Sequence, residues 1–218
     1  PANRQPITTA PLWMKHPLGG RQILFGTGRH LEVADRSDTR VQTIYSVWDR
    51  SNYTFDRNRA ISTVQERLPI TTGRAALVRQ TVTGNVTSRA TGTELPTNYF
   101  NTSSNTVAYS TTNSSAPRGW YMDLPEARER VLRHPKIFEG QKVLVTSSDL
   151  PQGSADETCS PNGSRGNGWI SVLNMITGRP SQTPVFETSD TTLNMGAASR
   201  ARVDPDEFAA FEQKDGKI

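Results

Sequence analysis

An all-β fold is what this sequence predicts, and three observations carry it. Its apolar residues fall in short runs such as Ile23-Leu24-Phe25 and Val143-Leu144-Val145, bounded by polar residues and glycine. Ser, Thr, Asn and Gly are abundant, which suits turns and the solvent-facing positions of strands. One two-strand pattern, between Gly19 and Asp49, returns between His134 and Asn174.

The bulk properties set the frame. A chain of 218 residues builds one large domain or two small ones. Only 33% of residues are hydrophobic, and the mean hydropathy is −0.60, so the core must be thin and layered, as between sheets. The net charge is +4 and the pI about 9.5, but the arginines are scattered. A nucleic-acid reader clusters them with aromatic residues on one face, so nucleic acid is not an expected partner. The lone cysteine, Cys159, excludes an internal disulfide framework. No apolar run approaches 18 residues, so no membrane span is expected. The chain opens on Pro1 with neither an initiator Met nor a signal peptide, and reads as a piece of something longer.

The elements follow in order. Residues 1–18 open as Pro-rich coil, with an edge-type strand within Ile7–Lys15, since Pro11 breaks its ladder. The first clear strand spans residues 21–33; its run Ile23-Leu24-Phe25 is the mark of a strand covered on both faces. Gly26 and Gly28 mark either a bulge or a close backbone approach. Residues 34–42 form a polar loop and 43–50 a second strand, with Ile44, Val47 and Trp48 apolar. Ser51–Asn58 reads as loop and Ile61–Pro69 as weakly helical or irregular. Arg74–Gly84 reads as one strand. Residues 87–105 are a long exposed loop with a short strand at its end, Val107–Thr112 a short strand, and Gly119–Leu124 another, closed by Pro125. Val131–His134 and Lys136–Phe138 are short extended pieces broken by Pro135. Gln141–Ser147 and Trp169–Met175 are strong strands, separated by the polar loop Asp149–Asn167 that holds Cys159. Thr183–Glu187 is one more short strand. The C-terminal end has helix-start chemistry: Asp204 as N-cap, Pro205 at the first position, Glu207 three after the cap. It predicts a two-turn helix ending near Lys214, with Phe208 and Phe211 on one face.

The repeat turns this list into an architecture. His16-Pro17 and His134-Pro135 each lead through a short bridge and a Gly to two polar residues, three apolar residues and, shortly after, a Thr. Tyr45-Ser46-Val47-Trp48-Asp49 is echoed by Ile170-Ser171-Val172-Leu173-Asn174. One unit thus occurs twice, with further strands between Arg74 and Leu124. Successive antiparallel sheets, one per repeat, are the signature of propeller blades. The expected architecture is a partial β-propeller of about three blades with long polar loops. The blades run roughly over 7–58, 70–125 and 131–187 within a propeller part at 1–190; residues 191–218 form a C-terminal extension with the short helix. Three blades do not close a ring, so the remaining blades, or another chain, must cover the open edges.

Four stretches have distinctive wording: Ile23–Glu32 (I-L-F-G-T-G-x-x-L-E), Asp38–Asp49 (D-x-x-x-Q-x-x-Y-x-x-W-D), Arg118–Val131 (R-G-W-Y-x-D-L-P-x-x-x-E-R-V) and Gly168–Gly178 (G-W-x-x-x-L-N-x-x-T-G). In this order they resemble the C-terminal propeller of the type IV pilus tip-associated adhesins, the PilY/PilC family, over about residues 7 to 187. The resemblance implies a large secreted bacterial surface protein, exported through the periplasm to the pilus tip or cell surface. It implies work with minor pilins, support of pilus assembly against retraction, and adhesion to host or abiotic surfaces. It also implies calcium, held in an Asp-rich D-x-D/N-x-D loop. This sequence has no such run: Asp35 and Asp38 are spaced D-x-x-D, Asp204 and Asp206 belong to the helix start, and Glu187–Thr191 carries too few carboxylates for an oxygen cage. No cofactor and no metal site is expected in this piece.

No residue stands out as catalytic. His16, His30 and His134 are too far apart in sequence for a zinc motif, and the matching positions of His16 and His134 point to a shared structural role. Cys159 has neither a Cys partner nor an activating neighbour in sequence. Gly26-Thr27-Gly28 lacks the Gly-Lys-Ser/Thr ending and following helix of a phosphate-binding loop. Thr177-Gly178 resembles the blade turn of quinone-dependent dehydrogenases, but three blades are too few for that cofactor. The loops 87–117 and 149–167 are exposed and rich in small polar residues, where contacts concentrate. The reading is therefore a structural and adhesive module and not an enzyme. The alternative is a quinoprotein or hydrolase-like propeller with its active residues outside this piece.

Overall fold

The computed structural model of the chain describes residues 5–65, 70–93, 98–149, 166–187 and 190–203. The predicted C-terminal helix and Cys159, with most of its loop, lie outside these residues. Fourteen strands are described: β1 (Leu12–Lys15), β2 (Arg21–Gly26), β3 (Thr43–Asp49), β4 (Asn52–Phe55), β5 (Ile61–Gln65), β6 (Val78–Gln80), β7 (Val82–Asn85), β8 (Tyr99–Thr102), β9 (Gly119–Asp123), β10 (Glu129–Arg130), β11 (Lys136–Glu139), β12 (Lys142–Asp149), β13 (Gly168–Asn174) and β14 (Ala198–Val203). They make a five-stranded sheet ordered β1-β2-β3-β9-β6, a seven-stranded sheet ordered β10-β12-β13-β14-β8-β7 with β11 also on β12, and the hairpin β4-β5.

Both arms of the repeat are antiparallel neighbours, β2 with β3 and β12 with β13. Their phases differ. By sequence Leu24 matches Leu144 and Ser46 matches Ser171, yet Leu24 faces Ser46 while Leu144 faces Val172. Leu24 is buried between the two large sheets, and Leu144 packs on the opposite side of its own sheet. A one-residue offset exchanges the faces of a strand, so the echo is one of strand order and not of facing residues.

The core between the sheets joins Leu24, Ile44, Trp120 and Met122 of the first sheet to Val143, Val145 and Leu173 of the second. The second sheet is also covered on its far side, where Ile170, Val172, Ala198 and Ala201 meet Val86, Val185, Phe186, Leu193 and Met195. That double cover explains why β13 is buried at six successive positions, Gly168 to Leu173. In β2, by contrast, Gln22, Leu24 and Gly26 are buried, while Ile23 and Phe25 are half-buried on the outer face.

Several expectations are corrected. Asn52–Phe55 and Ile61–Gln65 form a hairpin, where a loop over Ser51–Asn58 and a weakly helical or irregular stretch over Ile61–Pro69 were expected; the turn is closed by Asp56, whose side chain accepts from the Asn58 and Ala60 N–H groups, and residues 66–69 lie outside the described residues. Arg74–Gly84 is not one strand. It is a 3₁₀ turn, Gly73–Ala76, followed by β6 in the first sheet and β7 in the second. The strands of 70–125 are thus shared out between the two large sheets: β6 and β9 join the first, β7 and β8 the second. Val107–Thr112 and Thr183–Glu187 contain no strand, although Val107, Val185 and Phe186 are buried as loop residues. The extension from 191 contributes β14, which lies between β13 and β8, so the sheets continue past residue 190. Its A-S-R-A-R-V pattern hid it, because Arg200 is buried there in an ion pair and breaks the alternation.

Candidate functional site

Two side-chain latches hold the sheets together, and each uses residues of the distinctive stretches. The first is the chain crossing at 129–131. The Val131 N–H donates to the Thr27 carbonyl (3.0 Å), and a methyl group at Gly26 would stand 2.4 Å from the Val131 side chain. Of the two readings left open for the glycines, close approach is the one realised. Arg130, itself buried, donates to the carbonyls of Asp38 and Arg40. Glu129 accepts from Arg200 Nη2 at 2.8 Å and from the Ser147 hydroxyl, with Glu129 and Arg200 almost fully buried.

The second latch is the turn after β13. Asn174 Oδ1 accepts from the Ile176 and Thr177 N–H groups, both at 2.9 Å, which fixes an Asx-type turn. Three successive carbonyls of that turn then face the first sheet. Met175 O accepts from Trp120 Nε1 (2.9 Å) and the Ser46 hydroxyl (2.7 Å), Ile176 O from the Tyr109 hydroxyl (2.6 Å), and Thr177 O from Gln80 Nε2 (3.0 Å). Gly178, at φ +70°, lies against the Trp120 ring, where a Cβ would stand 2.5 Å from a ring carbon. The Thr177-Gly178 turn therefore serves sheet docking.

The histidines separate. His16 is buried and stacked on Trp48 at 4.3 Å, with Tyr109 edge-on at 4.6 Å, and its Nδ1 accepts from the Leu18 N–H (3.1 Å). His134 is exposed, with Nδ1 2.7 Å from the Ala10 carbonyl, and His30 is exposed as well. The expected shared role of His16 and His134 is not found, because the bridge after His16 turns its ring into the aromatic cluster. Asp35 and Asp38 are tied to arginines, Asp35 to Arg29 at 2.7 Å and Asp38 to Arg40 at 2.6 Å. Among the described residues no three or more His, Cys, Asp or Glu side chains are grouped as metal ligands would be, and no helix is long and apolar enough to cross a membrane.

Burial lowers the His16 pKa from 6.5 to about 4. The unfolded chain thus takes up a proton that the folded chain refuses. This stability is fully present above pH 6.5 and is lost as pH falls towards 4, by on the order of 3 kcal/mol. A His16→Phe variant, which keeps the stack on Trp48, is expected to show a flatter urea-midpoint profile from pH 6.5 to 4. An unchanged slope would assign the acid sensitivity to other groups.

The first sheet also carries a small surface cleft of about 250 Å³ beside the Gly19-Gly20 turn, lined by Lys15, His16, Arg21, Ser51 and Tyr53. Trp13, on the same face of β1 as Lys15, is 56% exposed. Sequence reasoning passed over this group. Its cations come from two strands, and its Tyr53 comes from the hairpin read as loop.

No family model and no curated protein matches the chain. A solved structure does: the crystal structure of the Pseudomonas aeruginosa PilY1 C-terminal domain. The TM-score is 0.63 and the identity 24%, over 91% of this chain and 39% of that chain. At this identity the likeness shows the fold. The chain is a partial β-propeller-like, PilY1 C-terminal-like domain in architecture, spanning about two fifths of the length of the chain it matches.

Proposed function

We propose that this chain is part of a type IV pilus tip-associated protein, and that its role there is structural and adhesive and not catalytic. The observation that carries this reading is the fold match over 91% of the chain, reached by a sequence whose four distinctive stretches point to the same family. On this reading the module acts outside the cell, at the pilus tip or bacterial surface. It binds minor pilins, supports the pilus against retraction, and contacts host or abiotic surfaces. Two features suit such work. The latches spend the distinctive residues on rigidity, and the polar loops between strands are left for contact.

The test is retention of individually purified minor pilins on the immobilised chain. Retention of at least one, above a control protein of similar charge, is expected. Retention of none, together with unchanged surface piliation when the region is deleted in the producing cell, would sink the proposal. If deletion lowers piliation, removing the retraction motor is expected to restore it.

A further inference from the structure

We propose that the cleft at Lys15, Arg21, Ser51 and Tyr53 binds a sugar acid, with the carboxylate on the two cations and the ring beside the aromatic side chains. Lys15 and Arg21 are direct partners in the β1–β2 register, so two like charges stand opposite each other on one sheet face. Such a pair destabilises a sheet. Neither cation has an ion-pair partner within 4 Å among the described residues. Asp49 is the carboxylate opposite Arg21 on β3, but its oxygens accept from the Ser51 N–H (2.9 Å) and the Tyr53 hydroxyl (3.2 Å). With Asp49 counted, the three groups still leave one net positive charge beside the cleft, which an anionic ligand would neutralise.

The Arg21 guanidinium lies 4.8 Å from the centre of the Trp13 ring and 5.9 Å from that of Tyr53. Contact with aromatic rings orients the planar group while it makes no hydrogen bond within the described chain, which leaves its N–H fork for a bidentate carboxylate. An inorganic anion would gain nothing from the rings; a pyranose lays its C–H face on such surfaces. The cleft, at about 250 Å³, is below the range of drug-sized pockets and suits one sugar residue with the rest of a glycan in solvent. Ser51 and the Gly19-Gly20 turn line its wall. The inference rests on the adhesive half of the proposed function. It fails separately from it, because pilin retention does not depend on sugar.

The experiment titrates the full 218-residue chain with glucuronate, methyl glucoside and inorganic phosphate, following the Trp13 indole N–H by NMR and heat by calorimetry. Glucuronate is expected to shift the indole signal and to bind about tenfold tighter than either comparison ligand, the scale of one charge-assisted hydrogen-bond pair. Lys15→Thr and Arg21→Gln are each expected to weaken it by a similar factor. Lys15→Thr should leave Tm unchanged or higher, because it removes the repulsion. Absence of glucuronate binding in the millimolar range overturns the proposal. So does phosphate binding as tightly as glucuronate, methyl glucoside binding as tightly, or wild-type binding by both variants.

Discussion

Replacing Glu129 by leucine is expected to destabilise the fold by about 3–5 kcal/mol, the range for removing one partner of a buried ion pair. The loss comes less from the missing attraction than from what is left behind. Arg200 is 1% exposed, and its Nη1 already has no hydrogen-bond partner within the described chain. Without Glu129 its Nη2 loses the 2.8 Å contact as well, leaving a buried cation beside the Trp169 ring, 5.1 Å away, with nothing to balance it. The Ser147 hydroxyl loses its acceptor at the same time. The double variant Glu129→Leu, Arg200→Met removes both charges, so it should recover most of the stability. Urea unfolding of the wild type, both single variants and the double variant closes the cycle. A single-variant loss below about 1 kcal/mol would mean that solvent reaches the pair.

Trp120→Ala should cost a similar amount, about 3–5 kcal/mol, by a different mechanism. Trp120 is fully buried at the centre of the inter-sheet core. Removing it opens a cavity between packed sheets that cannot collapse, because β3 on one side and the 174–178 turn on the other are each held by their own hydrogen bonds. It also frees Gly178, which lies against the ring, and removes one of the two donors to the Met175 carbonyl. Trp120→Phe keeps most of the volume but not the indole N–H, so its loss should fall near 1–3 kcal/mol, between wild type and alanine. Thermal unfolding of the three proteins tests the order. Equal losses for Phe and Ala would place the energy in the hydrogen bond and not in the packing.

The strands that the sequence made legible are those whose apolar run lies in one segment: β3, β9, β12 and β13 fall close to their expected positions, and β2 starts at Arg21 as expected but ends at Gly26 instead of running on to residue 33. The misses share a cause. Asn52–Phe55 and Ile61–Gln65 have short, mixed patterns and are strands because each pairs with the other. Ala198–Val203 carries two arginines and is a strand because β13 and β8 border it on both sides. Val107–Thr112 has strand-forming residues but joins no sheet; Val107 is buried and the Tyr109 hydroxyl reaches the 174–178 turn instead.

The candidate site was less legible than the fold. The Gly26-Thr27-Gly28 stretch announced something special, but whether bulge or close approach depended on residues 129–131, about a hundred positions away, arriving beside it. The cleft was invisible in sequence, because the opposition of Lys15 and Arg21 exists only once the β1–β2 register is set.

Composition and local pattern alone determined that this chain is all-β, thinly layered, and built around a twice-used pair of strands, since those features follow from side-chain period and turn chemistry within a few residues. Only the tertiary structure decided which sheet each strand joins, which of the two matched histidines is buried, and that the second arm of the repeat sits one residue out of phase. Those outcomes depend on register and on contacts between distant segments. A one-residue slip changes every facing side chain while leaving the sequence pattern the same.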